Sequence, residues 1–142
     1  MHEFSRRIST TSDRSAALRA SKTILVIDDD EAFGNLTRLR LEKSGFSARF
    51  HRGPFGALHA IRDGHCDLAI LDFAMPGLDG GQVVRLVREA KGLERMKVLL
   101  FSAMDPTELK TQAEKHGVPF VNKGASWVSI VNVVDTILAS RS

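Results

Sequence analysis

From Thr23 onward, short apolar runs alternate with stretches whose apolar positions recur every three or four residues. The runs are Ile24-Leu25-Val26-Ile27, Phe46 to Phe50, Leu68-Ala69-Ile70-Leu71, Val98-Leu99-Leu100-Phe101 and Val118 to Val121. Four of them are densely apolar, as strands covered on both faces are. Phe46 to Phe50 is mixed and suits a sheet edge. The stretches between them predict helices over 31–44, 55–63, 80–91, 106–116 and 126–139. In the first helix Ala32, Phe33, Leu36 and Leu39 share one side, and Gly45 follows as a stop. The third turns Val83, Val84, Leu86 and Val87 toward a core. The fourth opens with Asp105-Pro106, an N-cap followed by Pro at the first helical position. Strand followed by helix, repeated five times, predicts an α/β fold with a doubly wound five-stranded parallel sheet.

Composition narrows the class. The 142 residues suit one domain. Apolar residues at 43% and charged residues at 26% exclude a disordered or collagen-like chain. The single cysteine, Cys66, has no internal disulfide partner, which fits a reducing, cytoplasmic setting. The net charge of +3 is unevenly placed. Residues 1–22 hold Arg6, Arg7, Arg14, Arg19 and Lys22 against Glu3 and Asp13, so the rest of the chain is neutral. The basic character therefore belongs to an arm, and residues 1–21 read as a flexible one. The body gives no charge argument for binding DNA. No apolar run approaches the roughly 18 residues of a membrane span.

In such a sheet, functional residues gather beyond the carboxyl ends of the strands. Run one ends in Asp28-Asp29-Asp30, run three in Asp72, run four in Ser102 and run five in Asn122-Lys123. Carboxylates, a hydroxyl and a lysine thus converge on one rim. Clustered carboxylates invite a hard divalent cation with oxygen ligands, most simply Mg²⁺. A carboxylate can act as a nucleophile and form an acyl phosphate. A hydroxyl and an ammonium can bind the remaining phosphoryl oxygens. Asp30 reads as the helix-entry residue. His51, His59, His65 and His116 show no metal-ligand spacing.

These residues carry a resemblance. The stretches Ile24 to Asp30, Leu71 to Gly80, Leu100 to Ala103 and Phe120 to Lys123 resemble receiver domains of bacterial two-component response regulators. The resemblance covers about residues 22–140. It implies a flavodoxin-like sheet of order 2-1-3-4-5 with five helices. This order is carried over from a chemotaxis protein of the family, a known example of it. It implies that Asp72 is the phosphoacceptor. Asp28, Asp29, Asp72 and the backbone carbonyl of Ala74 would hold Mg²⁺. Ser102 would swing toward the phosphoryl group, Lys123 would pair with the acyl phosphate, and Phe120 would be the switching aromatic. Phe120 read from its own surroundings is equally a core aromatic. The implied partners are a sensor histidine kinase or a histidine phosphotransfer protein, and a downstream protein. Such a domain catalyses its own phosphorylation and dephosphorylation without being a conventional enzyme.

The pattern departs from the family in three places. Gly124 follows Lys123 where Pro is usual. A cis bond before a non-Pro residue costs about 2.5–4 kcal/mol, so a trans bond is expected, with Gly124 supplying an unusual dihedral. Ala74 leaves space for water, and Met104 offers no hydrogen bond to orient it. The last helix carries Trp127, Ile130, Val131, Val134, Ile137 and Leu138 as a core stripe, widened by Val128 and Val133. Asp135 is its only charge, which suggests a homodimer or partner face on the fourth and fifth helices. The chain stops at Ser142, so output is expected through protein contact or phosphorelay.

Three rival readings have weaker support. A haloacid-dehalogenase-type phosphatase would place its nucleophile at Asp28, but the acidic pair needed after Lys123 is missing. A flavodoxin-type carrier would need a Ser-, Thr- and Gly-rich first loop, where Asp28 to Glu31 would repel a phosphate. A receiver-fold module independent of phosphorylation would be expected to lack one of the acidic residues or Lys123.

Overall fold

Side chains alternate across each strand, and this period sorts the apolar residues of one sheet into two cores. In the computed structural model, which describes residue 14 and residues 16–140, the strands are β1 (Thr23–Asp28), β2 (Ser47–Arg52), β3 (Leu68–Leu71), β4 (Lys97–Ser102) and β5 (Phe120–Asn122). The helices between and after them are α1 (Glu31–Lys43), α2 (Ala57–Asp63), α3 (Gly80–Glu89), α4 (Pro106–His116) and α5 (Trp127–Ala139). All strand pairs are parallel, in the order β2-β1-β3-β4-β5. The mixed run, β2, is an edge as expected.

Leu25, Ile27, Ala69, Leu71, Val98 and Leu100 face α2, α3 and α4. Ile24, Val26, Leu68, Ile70, Leu99 and Phe101 face α1 and α5. Caps set the helix starts. Asp30 accepts from the Phe33 amide at 3.0 Å, and Asp105 accepts from the Thr107 and Glu108 amides. Asp79 and Gln82 form a reciprocal capping box at the start of α3.

Several details differ from the periodicity reading. In α1 the face toward the sheet is Gly34, Thr37 and Leu41, while Leu36 and Leu39 are 41% and 47% exposed. The cause is the Phe50 ring. A Cβ on Gly34 would fall 2.1 Å from it, so only glycine allows the helix this close. Thr37 satisfies its buried hydroxyl by donating to the Phe33 carbonyl at 2.9 Å. In α3, Leu86 is exposed while Val83, Val84 and Val87 are buried. In α5, Val128 is 72% exposed and lines a groove toward α1 with Arg40 and Lys43, not a face shared with α4. Val133 is half-buried against the core.

The segment before β1 also differs from the flexible arm expected over 1–21. Residues 16–20 are helical, a sixth helical segment among the described residues. The Arg19 guanidinium donates to both Asp135 carboxylate oxygens, at 3.1 and 2.6 Å, and to the Ser44 carbonyl at 3.0 Å. It also lies over the Phe46 ring. The rest of the expected arm, residues 1–13 and Ser15, falls outside the described residues.

Candidate functional site

Parallel pairing brings the strand ends together. Ile27 pairs with Leu71, so Asp28 and Asp72 emerge side by side, and the Asp72 amide donates to the Ile27 carbonyl at 2.9 Å. Ser102 pairs with Asn122, and the Lys123 amide donates to the Ser102 carbonyl at 2.9 Å. Four residues far apart in sequence thus share one rim.

Lys123 is the hub. Its Nζ lies 2.7 Å from Asp28 Oδ2 and 3.4 Å from Asp72 Oδ2. The outer carboxylate oxygens take backbone donors. Asp28 Oδ1 accepts from the Asp30 amide at 2.9 Å, and Asp72 Oδ1 from the Ala74 amide at 3.3 Å. Ser102 is fully buried, and its Oγ accepts from the Met104 amide at 3.3 Å. Two buried carboxylates thus share one ammonium, leaving an excess negative charge. Burial pushes the Asp72 carboxyl above its ordinary pKa. Lys123 opposes that rise, Asp28 adds to it, and hydrogen bonds from Ala74 and Ser102 oppose it.

Oxygen is the only donor type here: Asp28, Asp29, Asp72 and the Ala74 carbonyl. That chemistry and the uncompensated charge fit a hard divalent cation. The acidic side chains do not all converge, however. Asp29 stands exposed on the rim, and Lys123 already holds the other two. Among the described residues no three acidic, His or Cys side chains form a ready-made cage.

Two further residues belong to the site. Phe33, read from sequence only as an apolar helix position, lies under the Lys123 ammonium, with Nζ 4.5 Å from the ring centroid. It also stacks on Trp127 and tilts against Phe101. Asn122, noted only as a strand end, donates to the Met104 carbonyl at 2.9 Å and accepts from the Gly124 amide at 2.8 Å. It ties the loop after β4 to the loop after β5. Its place directly before the lysine was a usable signal, whereas nothing in the spacing pointed to Phe33. Phe120 is half-buried against the core beneath α3 and α4.

The Lys123–Gly124 bond is trans, as expected, since the described chain has no cis peptide. The special dihedral expected of Gly124 is not found, because its φ is not in the left-handed region. A Cβ there would sit 3.0 Å from Asn122 Oδ1, so the close asparagine turn is the local reason for glycine.

Sheet order and rim together define a flavodoxin-like domain of receiver type. The family model for the response regulator receiver domain matches residues 24–135, and the chain belongs to that family. It is the receiver domain of a response regulator of two-component signalling. The transcriptional regulatory protein QseB of Escherichia coli O157:H7 is 34% identical over 94 residues, 66% of this chain and 42% of that protein. The transcriptional regulatory protein CseB of Streptomyces avermitilis is 35% identical over 66 residues, 46% of this chain and 28% of that protein. The chain therefore spans less than half the length of these curated relatives. The Francisella response regulator 1452 receiver domain superposes with a TM-score of 0.73 at 26% identity, covering 82% of this chain and 96% of that one.

Proposed function

We propose that Asp72 accepts a phosphoryl group from a phosphohistidine on a sensor histidine kinase or histidine phosphotransfer protein. The observation that carries this reading is the Asp28–Lys123–Asp72 contact set at the carboxyl rim. In the transfer a carboxylate oxygen of Asp72 forms the new bond to phosphorus. The bond from phosphorus to the imidazole nitrogen breaks, and its electron pair stays with the imidazole. Asp28, Asp29, Asp72 and the Ala74 carbonyl would hold Mg²⁺, which when bound offsets phosphoryl charge. Lys123 supplies positive charge at the oxygens of the acyl phosphate, held in place by Phe33 beneath it. The Ser102 hydroxyl gives up the Met104 amide to turn toward the phosphoryl group, and Phe120 follows as the switching aromatic.

Output runs through contact with a downstream protein or phosphorelay, without direct DNA contact by this domain. Of the two residues that widen the α5 stripe, Val128 faces the α1 groove, which leaves Val133 for a homodimer through α4 and α5. The test is intact mass after incubation with Mg²⁺ and acetyl phosphate, with Asp72→Asn alongside. A phosphoryl adduct lost in the variant is expected. An adduct that survives in Asp72→Asn overturns the assignment. Its absence from the unaltered chain, with Mg²⁺ shown to bind, favours a phosphorylation-independent module.

A further inference from the structure

The loop between β2 and α2 displays an aromatic ring to solvent, and its backbone is tied down at two points. Gly53 and Gly56 bracket Pro54-Phe55 with φ of 76° and 79°, values that L side chains rarely adopt. The Gly53 amide donates to the Asp28 carbonyl at 2.9 Å, which ties the loop to the acidic rim. The His51 ring nitrogen Nε2 lies 2.7 Å from the Phe55 carbonyl and donates to it in the fitting tautomer. Pro54 is buried. Yet the Phe55 side chain is 71% exposed, so it adds little to the core that the loop is built on.

The ring lies against the loop that follows Asp72. A Cβ on Gly77 would fall 3.1 Å from two of its carbons, so glycine there keeps room for it. Ala74, Pro76 and Gly77 are also exposed. A small apolar strip thus runs from Phe55 to Ala74, whose amide binds the Asp72 carboxylate. A macromolecule that delivers a phosphoryl group to Asp72 has to approach the rim on which Ala74 and this strip lie. A donor the size of acetyl phosphate need not touch the strip.

We infer that Phe55 is a specificity-determining anchor for the phosphohistidine protein that phosphorylates Asp72. This rests on the phosphoacceptor reading above and adds a residue to it. An exposed aromatic ring on a loop whose backbone is held, close to the acceptor loop, is of the residue class enriched in protein interfaces. It acts through donor docking and takes no part in the bond changes at phosphorus.

The experiment compares two donors on the unaltered chain, Phe55→Ala and Phe55→Leu. The small donor is acetyl phosphate with Mg²⁺. The protein donor is the phosphorylated kinase or phosphotransfer protein, from a genome-wide panel, that labels the unaltered chain fastest. Phe55→Ala is expected to keep the acetyl phosphate rate within about twofold and to lose roughly 10- to 100-fold in transfer from the protein. Phe55→Leu is expected to lose less than Phe55→Ala. Equal transfer by Phe55→Ala from both donors overturns the inference and leaves the phosphoacceptor reading intact. A parallel fall with both donors also overturns it, since the ring would then act on the acceptor loop itself. A panel without any protein donor for the unaltered chain overturns it too. No acetyl phosphate adduct on the unaltered chain counts instead against the phosphoacceptor reading.

Discussion

The two ends of the sheet handle charge in opposite ways. At the carboxyl end, Asp28 and Asp72 are buried around one ammonium, and burial pushes the Asp72 carboxyl above its ordinary pKa. At the amino end, Arg19, Lys97 and Asp67 each meet protein partners. Arg19 forks onto Asp135 and caps the Ser44 carbonyl. Lys97 donates to the Ile137 and Ser140 carbonyls at the end of α5. Asp67 accepts from the Thr23 amide at 2.8 Å where β1 begins. One end therefore stabilises the fold, and the other stores electrostatic tension that an added cation would relieve. This division explains how a small domain can carry an under-compensated acid pair and stay folded.

The largest way to break that contrast is to remove the hub. Lys123→Met keeps the bulk of the side chain and leaves two buried carboxylates facing each other. Loss of one partner from a buried ionic set costs about 3–5 kcal/mol. Urea denaturation without divalent cations should show this loss, and Mg²⁺ should return part of it. A variant as stable as the parent would mean that the carboxyl end is not under tension.

A second expected loss tests packing between the ends. Gly34→Ala places a methyl group 2.1 Å from a Phe50 ring carbon. Either α1 or the ring must move, at a cost of about 1–3 kcal/mol. Thermal melting would show it, with acetyl phosphate labelling at Asp72 retained at temperatures well below the melt.

Gly34 also shows which features are legible in the sequence. The strands, the β2 edge, the helix order and the rim residues Asp28, Asp72, Ser102 and Lys123 follow from apolar runs and from what ends each run. The rim follows because parallel strands must end together, so position along the chain fixes position in space. The core face of α1 does not follow. There the sheet asks for small residues against Phe50, and the apolar Leu36 and Leu39 are left outside. Periodicity assumes that larger apolar side chains face the core, and close helix–strand contact reverses this. The role of Phe33 is not legible for a similar reason, since a ring under an ammonium has the same spacing as a ring in a core. The anchoring of Arg19 was hidden because its partners, Ser44, Phe46 and Asp135, are distant in sequence.

At the amino end, Arg19→Ala should have a smaller effect. Both Arg19 and Asp135 are partly exposed, so screening discounts the ion pair. The lost pair and the contact with Phe46 together amount to about 1 kcal/mol. The loss should shrink in high salt, and labelling of Asp72 should be unchanged. Asp135→Asn should repeat most of the effect, and the double variant should lose less than the sum of the two.

The smallest expected effect has the opposite sign. Because burial raises the Asp72 pKa in the folded chain, unfolding releases a proton wherever the folded chain alone holds one. The stabilising contribution of that carboxyl is complete below the ordinary carboxylate pKa and is lost as pH rises through the higher folded value. At neutral pH the ionised group therefore weakens the fold. Asn at this position has no charge to bury, and Lys123 still has Asp28 at 2.7 Å. Asp72→Asn should thus melt above the parent at neutral pH without Mg²⁺, which paired thermal melts would show. The gap should close as pH falls below about 4, where both carboxyl and amide are neutral. A gap that widens in acid would mean that Asp72 is held ionised by Lys123 more strongly than burial opposes it. The carboxyl end would then resemble the amino end, and the contrast between them would disappear.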